Sequence, residues 1–309
     1  MRSARRITPS VVMMIISLLL IAACSSDKKT GNQSNDESAT SPGKIVFHGW
    51  AENDAADIYV IDANGENLAN LTQNDSIDRN PVWSPDGAQI AFESERASGD
   101  GKSDIYVMNA DGSDAVQLTD HEAHDATPTW SPDGTQIAFV SGRGGGADIY
   151  LMNADGSNIT QLTDTTGSDD YPDWSPDGEW IVFETWHGEG FMFNNHIFKI
   201  KPDGSALTQV TRENQDYYKP VWSPDGTQIV MSLDIAGSHD LMIMSSSGAD
   251  ETQLTETFDA SEQSPVWSPD GTRVMYEKWN NLYTIKTDGT DEQQITDLDM
   301  AIHCPDWHP

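Results

Sequence analysis

Trp83-Ser84-Pro85-Asp86-Gly87 recurs unchanged at Trp130, Trp174, Trp222 and Trp267, at intervals of 44–48 residues. Another 40 residues lead to Trp307 in the closing His303-Cys304-Pro305-Asp306-Trp307-His308-Pro309. A period of about 40–50 residues with strand-like content is the signature of a β-propeller. Each period reads as four short strands; in one, these are Pro128–Trp130, Gln136–Ser141, Asp148–Asn153 and Ile159–Thr163. Ser131-Pro132-Asp133-Gly134 suits a tight hairpin, since proline presets φ at its first central position and glycine accepts a left-handed conformation. The other turns are expected to be longer and variable. Runs such as Ile137-Ala138-Phe139-Val140 are apolar on both faces, as blades packed between two neighbours require.

The ends of the repeat region supply one divided unit. Ser41-Pro42-Gly43-Lys44-Ile45-Val46-Phe47 matches the second half of a unit and Trp307-His308-Pro309 the first. Six blades follow. One of them takes its inner strand from the C-terminus and three strands, around Ile45–Gly49, Asp57–Asp62 and Leu68–Thr72, from the N-terminal side. Such a seam removes free sheet edges and fixes both ends of the domain. The all-β, six-bladed propeller is expected over residues 42–309.

Ahead of it, Arg2, Arg5 and Arg6 precede an apolar run over Val11–Ala23, too short for a comfortable membrane span and suited to a signal-peptide core over residues 1–23. Leu20-Ile21-Ala22-Ala23-Cys24 resembles a bacterial lipobox, which implies lipid attachment at the Cys24 thiol. Ser25 after the cysteine then favours the periplasmic side of an outer membrane or the cell surface. Residues 24–41 are almost wholly polar and read as a flexible tether. After processing only Cys304 remains, so no internal disulfide forms.

The net charge of -33 argues against nucleic acid or anionic lipid as partners of the propeller. A heavily hydrated surface from a saline habitat accounts for it, as does attraction of basic partners. The only membrane contact expected is the Cys24 lipid, and the domain reads as a monomer.

The unit xxPxWSPDGxxIxF…DIYxMNxDGSxxxQLT resembles the repeat of TolB-type, WD-repeat-like propellers, and is similar to propellers of prolyl oligopeptidases and oligogalacturonate lyases. The resemblance covers Pro42–Pro309 and implies the fold rather than an activity. TolB proteins carry an α/β domain ahead of the propeller and no lipid. Prolyl oligopeptidases carry a hydrolase domain with a GxSxG elbow, which is missing from this sequence.

In such a fold the long links lie on one face and the PDG and DGS turns on the other. His48, His121, His124, His187, His196, His239 and His303 all fall on or beside the long-link face. One aligned column there, three residues after the aromatic of the second strand, holds Trp50, Trp186 and Trp279. These either anchor a ligand or cover loop packing; as anchors, with His187 and His196 beside them, they suit an envelope protein, a peptide or a glycan. A second column holds Asp78, Asp125, Asp169 and Glu262. Its carboxylates either brace the backbone or form a partial acidic ring for a hard cation such as calcium. His121-x-x-His124, with His187 and His196, is the one set resembling transition-metal ligands. The leading expectation is a binding module without catalysis or cofactor. The alternative is a metal-dependent polysaccharide lyase or hydrolase of the oligogalacturonate-lyase type, in which several histidines must converge on one ion.

Overall fold

The computed structural model describes residues 43–50, 55–97, 101–189, 192–212, 215–257 and 260–308, in which there are strands and turns and no helix. The expected signal segment over residues 1–23, Cys24 and the expected tether over residues 24–41 lie outside these residues. Blade 1 begins with β1 (Lys44–Trp50), β2 (Ala56–Asp62) and β3 (Ala69–Asn70). Blade 2 is β4 (Asp78–Trp83), β5 (Gln89–Ser94), β6 (Asp104–Asn109) and β7 (Val116–Gln117). Blade 3 is β8 (Asp125–Trp130), β9 (Gln136–Ser141), β10 (Asp148–Asn153) and β11 (Thr160–Gln161). Blade 4 is β12 (Ser168–Trp174), β13 (Ile181–Glu189), β14 (Met192–Ile200) and β15 (Thr208–Gln209). Blade 5 is β16 (Asp216–Trp222), β17 (Gln228–Ile235), β18 (Ser238–Ser245) and β19 (Thr252–Gln253). Blade 6 is β20 (Gln263–Trp267), β21 (Arg273–Lys278), β22 (Asn281–Lys286) and β23 (Gln293–Gln294). The last strand, β24 (Ala301–His308), pairs with β1, so blade 1 has the order β24-β1-β2-β3 and the seam stands as expected.

Local chemistry explains why the motif repeats. In the first copy Ser84 Oγ accepts the N–H of Gln89 at 2.9 Å and donates to Asp86 at 2.7 Å, while Gly87 takes φ 66°. Serine therefore supplies both turn bonds and glycine the left-handed corner. The threonine of each QLT-like segment does a second job. Thr72, Thr119, Thr163, Thr211, Thr255 and Thr296 each accept a third-strand N–H through Oγ1, at 2.9–3.0 Å. Each two-residue outer strand is thereby tied to its blade.

The core is divided among the six blade interfaces. Trp83 packs with Ile90 and Phe92 of its own blade against Val46 and Ile58 of blade 1. Trp130, Trp174, Trp222 and Trp267 occupy the equivalent clusters, and closure is sealed where Val266 and Met275 of blade 6 meet Ile45, Phe47 and Ile302 of blade 1. The motif tryptophans are 4–7% exposed. Burying an aromatic of this size supplies roughly 3 kcal/mol or more per blade.

Every inner strand bulges at its X-Pro step. Asn80, Thr127, Tyr171, Lys219, Ser264 and Cys304 all take left-handed φ of 45–50°, and the ladder slips there. Proline has no N–H to lose from the ladder, and the left-handed residue turns its own N–H out of the sheet.

Candidate functional site

Those six bulges bring Asn80, Thr127, Tyr171, Lys219, Ser264 and Cys304 around the propeller axis, where they line a cavity of about 140 Å³. Four of the N–H groups they free are claimed by the neighbouring blade. Thr127 N donates to Glu93 at 3.1 Å, Lys219 N to Glu184 at 2.7 Å, Cys304 N to Glu277 at 2.6 Å and Asn80 N to His48 Nδ1 at 3.4 Å. These acceptors share one position, following the aromatic of the second strand. Blade 3 has Val140 there, and Tyr171 N instead donates to the adjacent Asp170 at 2.8 Å.

Lys219 crosses this ring. Its Nζ donates to Ser264 Oγ at 2.7 Å, lies 3.4 Å from Cys304 Sγ and sits 4.7 Å from the centre of the Tyr171 ring. Burial opposes its charge, but the Cys304 thiol, Tyr171 and Glu277 together hold its pKa above the ordinary lysine value. Burial also raises the Cys304 thiol, the opposite of the shift that activates a nucleophilic cysteine. Burial and the nearby Asp170 push Glu184 up to about 8, and burial pushes Asp173 up to about 7. Burial and the facing His303, whose ring centre is 5.4 Å away, push His48 down to about 3. The sequence reading singled out none of Lys219, Glu93, Glu184 and Glu277. The recurring acid after the second-strand aromatic was the available signal.

The acidic column lies inside the blades. Asp78 and Asp125 are fully buried and meet Arg96 and Arg143 at 2.9 and 2.7 Å. The two guanidinium groups stack over Phe92 and Tyr106, and over Phe139 and Tyr150, with centroid distances of 4.9–5.4 Å. Glu262 lies 3.4 Å from Lys278 Nζ, and Asp169 accepts the hydroxyls of Thr165 and Thr185 at 2.8 and 2.9 Å. In this placement the column braces blades 2, 3, 4 and 6 from within.

The histidines are dispersed. His121 Nδ1 accepts the N–H of Ala123 at 3.0 Å, and His124 Nδ1 that of Ser103 at 3.3 Å. His196 is buried in β14 opposite Thr185, and the His187 side chain lies outside the described residues. Among the described residues no three His, Cys, Asp or Glu side chains are arranged to hold a metal ion. The convergence required by the alternative enzyme reading is not found among them.

The aligned tryptophans reach the expected face by different routes. Because blades 5 and 6 turn between second and third strands in two residues, and β13 and β14 of blade 4 stay paired out to Glu189 and Met192, no long loop stands there. Longer strands replace it in blades 4 and 5. Trp186 lies within β13 and is 50% exposed; Trp279 lies in the turn itself and is 57% exposed. Trp50 ends β1 opposite Ala56 and Ala301 and is half-buried. Ile235, 41% exposed at the end of β17, adds a third large apolar side chain on the same face. The sequence reading missed it because the extra length of the blade 5 hairpin, not its motif, brings it out. Beside Trp279 opens a pocket of about 480 Å³, lined among others by Ser238, Gln263, Asn280 and His303.

Comparison with known proteins agrees with this architecture. TolB from Acinetobacter baumannii superposes with a TM-score of 0.75 at 22% identity, covering 86% of this chain and 67% of that one. A putative TolB from Agrobacterium tumefaciens gives 0.66 at 18%, covering 88% and 100%. An oligogalacturonate lyase solved in complex with manganese gives 0.58 at 16%, covering 84% and 75%. At such identities these likenesses establish the fold. No curated protein matches the sequence. The family model described as the TolB beta propeller domain matches residues 97–159 and 143–309, more than half of the sequence. This chain belongs to the TolB beta propeller domain family.

Proposed function

We propose that this protein is a lipid-anchored envelope propeller without catalysis, whose long-link face, over blades 4 to 6, binds a protein, peptide or glycan. One observation carries the reading. Trp186, Ile235 and Trp279 stand exposed on three successive blades at one face, Ile235 one residue beyond the aligned Asp234 of blade 5, whereas the aligned positions of blades 2 and 3 hold Glu95 and Gly142. Exposed aromatics of this kind anchor binding interfaces, and core packing has no use for them because the motif tryptophans already fill it.

The path of the chain supports the orientation. Gly43 enters the propeller beside Trp307 and His308, and His308 abuts the Gly87 turn. The polypeptide thus joins the domain at the SPDG face, and the Trp186–Trp279 face is the opposite one.

A photo-reactive amino acid placed at Ile235 in living cells tests this reading, with Val116 on outer strand β7 as comparison site. Cross-linked species are expected from position 235 and not from 116. Equal cross-linking at both positions, or cross-linking from 116 alone, contradicts the reading.

A further inference from the structure

The pocket over blade 6, bounded by blade 5 on one side and by Ile302 and His303 of β24 on the other, has a chemistry of its own. Its charged lining groups are neutralised inside the protein. Glu277 lies 2.9 Å from His303 Nδ1, and Lys278 Nζ lies 2.9 Å from Glu292 and 3.4 Å from Glu262. Ions paired this closely present little net field to a ligand. The groups left to meet one are side-chain amides and an imidazole nitrogen. Asn280 is exposed, and its amide has no partner among the described residues. His303 keeps Nε2 free, its Nδ1 being held by Glu277. Gln263 donates its amide N–H groups to Ser261 and His239, which leaves Oε1 as an acceptor.

Trp279 stands at the edge of this set. It and Asn280 take φ of 51° and 61°, the two-residue turn conformation that asparagine or glycine adopts readily and tryptophan does not. A bulky residue held there is strained, which marks a position occupied for its side chain rather than for its backbone. Tyr283 meets the indole edge-on at 6.2 Å and the Lys278 ammonium lies 4.8 Å from the ring centre, bracing it while more than half of it remains exposed.

We propose that this pocket binds an uncharged sugar ring of a neutral glycan. An aromatic face stacks on the C–H face of a pyranose, and side-chain amide and imidazole groups satisfy its hydroxyls. The absence of an unpaired cation in the lining, together with the overall charge of -33, disfavours an acidic polymer. The assignment rests on the reading of the long-link face as the binding face.

Titration of the detergent-solubilised full chain with cellotetraose, maltotetraose, mannotetraose and chitotetraose, with tetragalacturonate as the acidic comparator, tests it. At least one neutral tetrasaccharide is expected to bind. Trp279→Ala should weaken that binding about tenfold or more. Asn280→Gly, which keeps the turn conformation, should weaken it several-fold, and Val116→Ala on the outer strand of blade 2 should leave it unchanged. The assignment is overturned if no neutral oligosaccharide binds, if tetragalacturonate binds best, or if Trp279→Ala has no effect. Should sugars fail while cross-linking from position 235 persists, the glycan assignment alone falls; should both fail, the binding face falls with it.

Discussion

The carboxylate of Glu277 accepts the backbone N–H of Cys304 at 2.6 Å, joining blade 6 to the C-terminal strand that closes blade 1. The N–H is available because Cys304 is left-handed ahead of Pro305, and the bond therefore compensates a strained step at the point of closure. Glu277→Ala should cost about 2–3 kcal/mol by orphaning a buried donor, and Glu277→Gln, which keeps an acceptor, clearly less. Denaturant midpoints of the two variants check this; equal losses would remove the brace from the account.

The equivalent acceptor in blade 4 predicts a pH effect of definite sign. Glu184 is raised to about 8 from 4.5 and Asp173 to about 7 from 3.8, both by burial first. Each binds its proton more tightly folded than unfolded. The stability they contribute is complete below the unfolded values and is lost as pH rises through about 7 to 8. The melting temperature should fall between pH 5 and pH 9, and Glu184→Gln, which still accepts from Lys219 N, should flatten the fall. A variant with the wild-type slope contradicts the assignment.

Asp125 and Arg143 form a pair that is costly to break on one side only. Asp125→Ala strands a guanidinium over Phe139 and Tyr150 beside a vacated buried site, at about 3 kcal/mol or more. The double variant Asp125→Ala with Arg143→Ala should recover part of that loss. An additive double variant argues against the brace.

Blade number, strand positions and the seam were legible because turn chemistry and apolar runs are local signals, and WSPDG repeats them in register. The acidic column was visible as a column, but its role depended on Arg96 and Arg143, each 18 residues further along and adjacent only after the blade folds. The axial ring was less legible still. Asn, Thr, Tyr, Lys, Ser and Cys share no chemistry, only a backbone conformation set by the bulge. The tryptophan column was visible as a column, yet Trp50, Trp186 and Trp279 end half-buried, on a strand and in a turn respectively, because hairpin length differs from blade to blade.

Closure predicts that the seam cannot be trimmed. Removing residues 304–309 takes away the β24 segment that pairs with Lys44–Val46 and the Asp306 carboxylate that accepts Trp83 N at 2.7 Å. Loss of cooperative unfolding and rapid proteolysis are expected. A truncated chain that melts like the full one contradicts the seam.

The central claim is that two classes of tryptophan do different work. Trp222 is 6% exposed between blades 4 and 5, whereas Trp186 and Trp279 are half or more exposed at one face. The most direct test is thermal melting of Trp222→Ala, Trp186→Ala and Trp279→Ala beside cross-linking from position 235 in each background. The account predicts a loss of about 3–5 kcal/mol for Trp222→Ala, near-native melting for the other two, and loss of cross-linking in at least one of them. Equal destabilisation by all three changes, with cross-linking retained by the folded fraction of each, would contradict it.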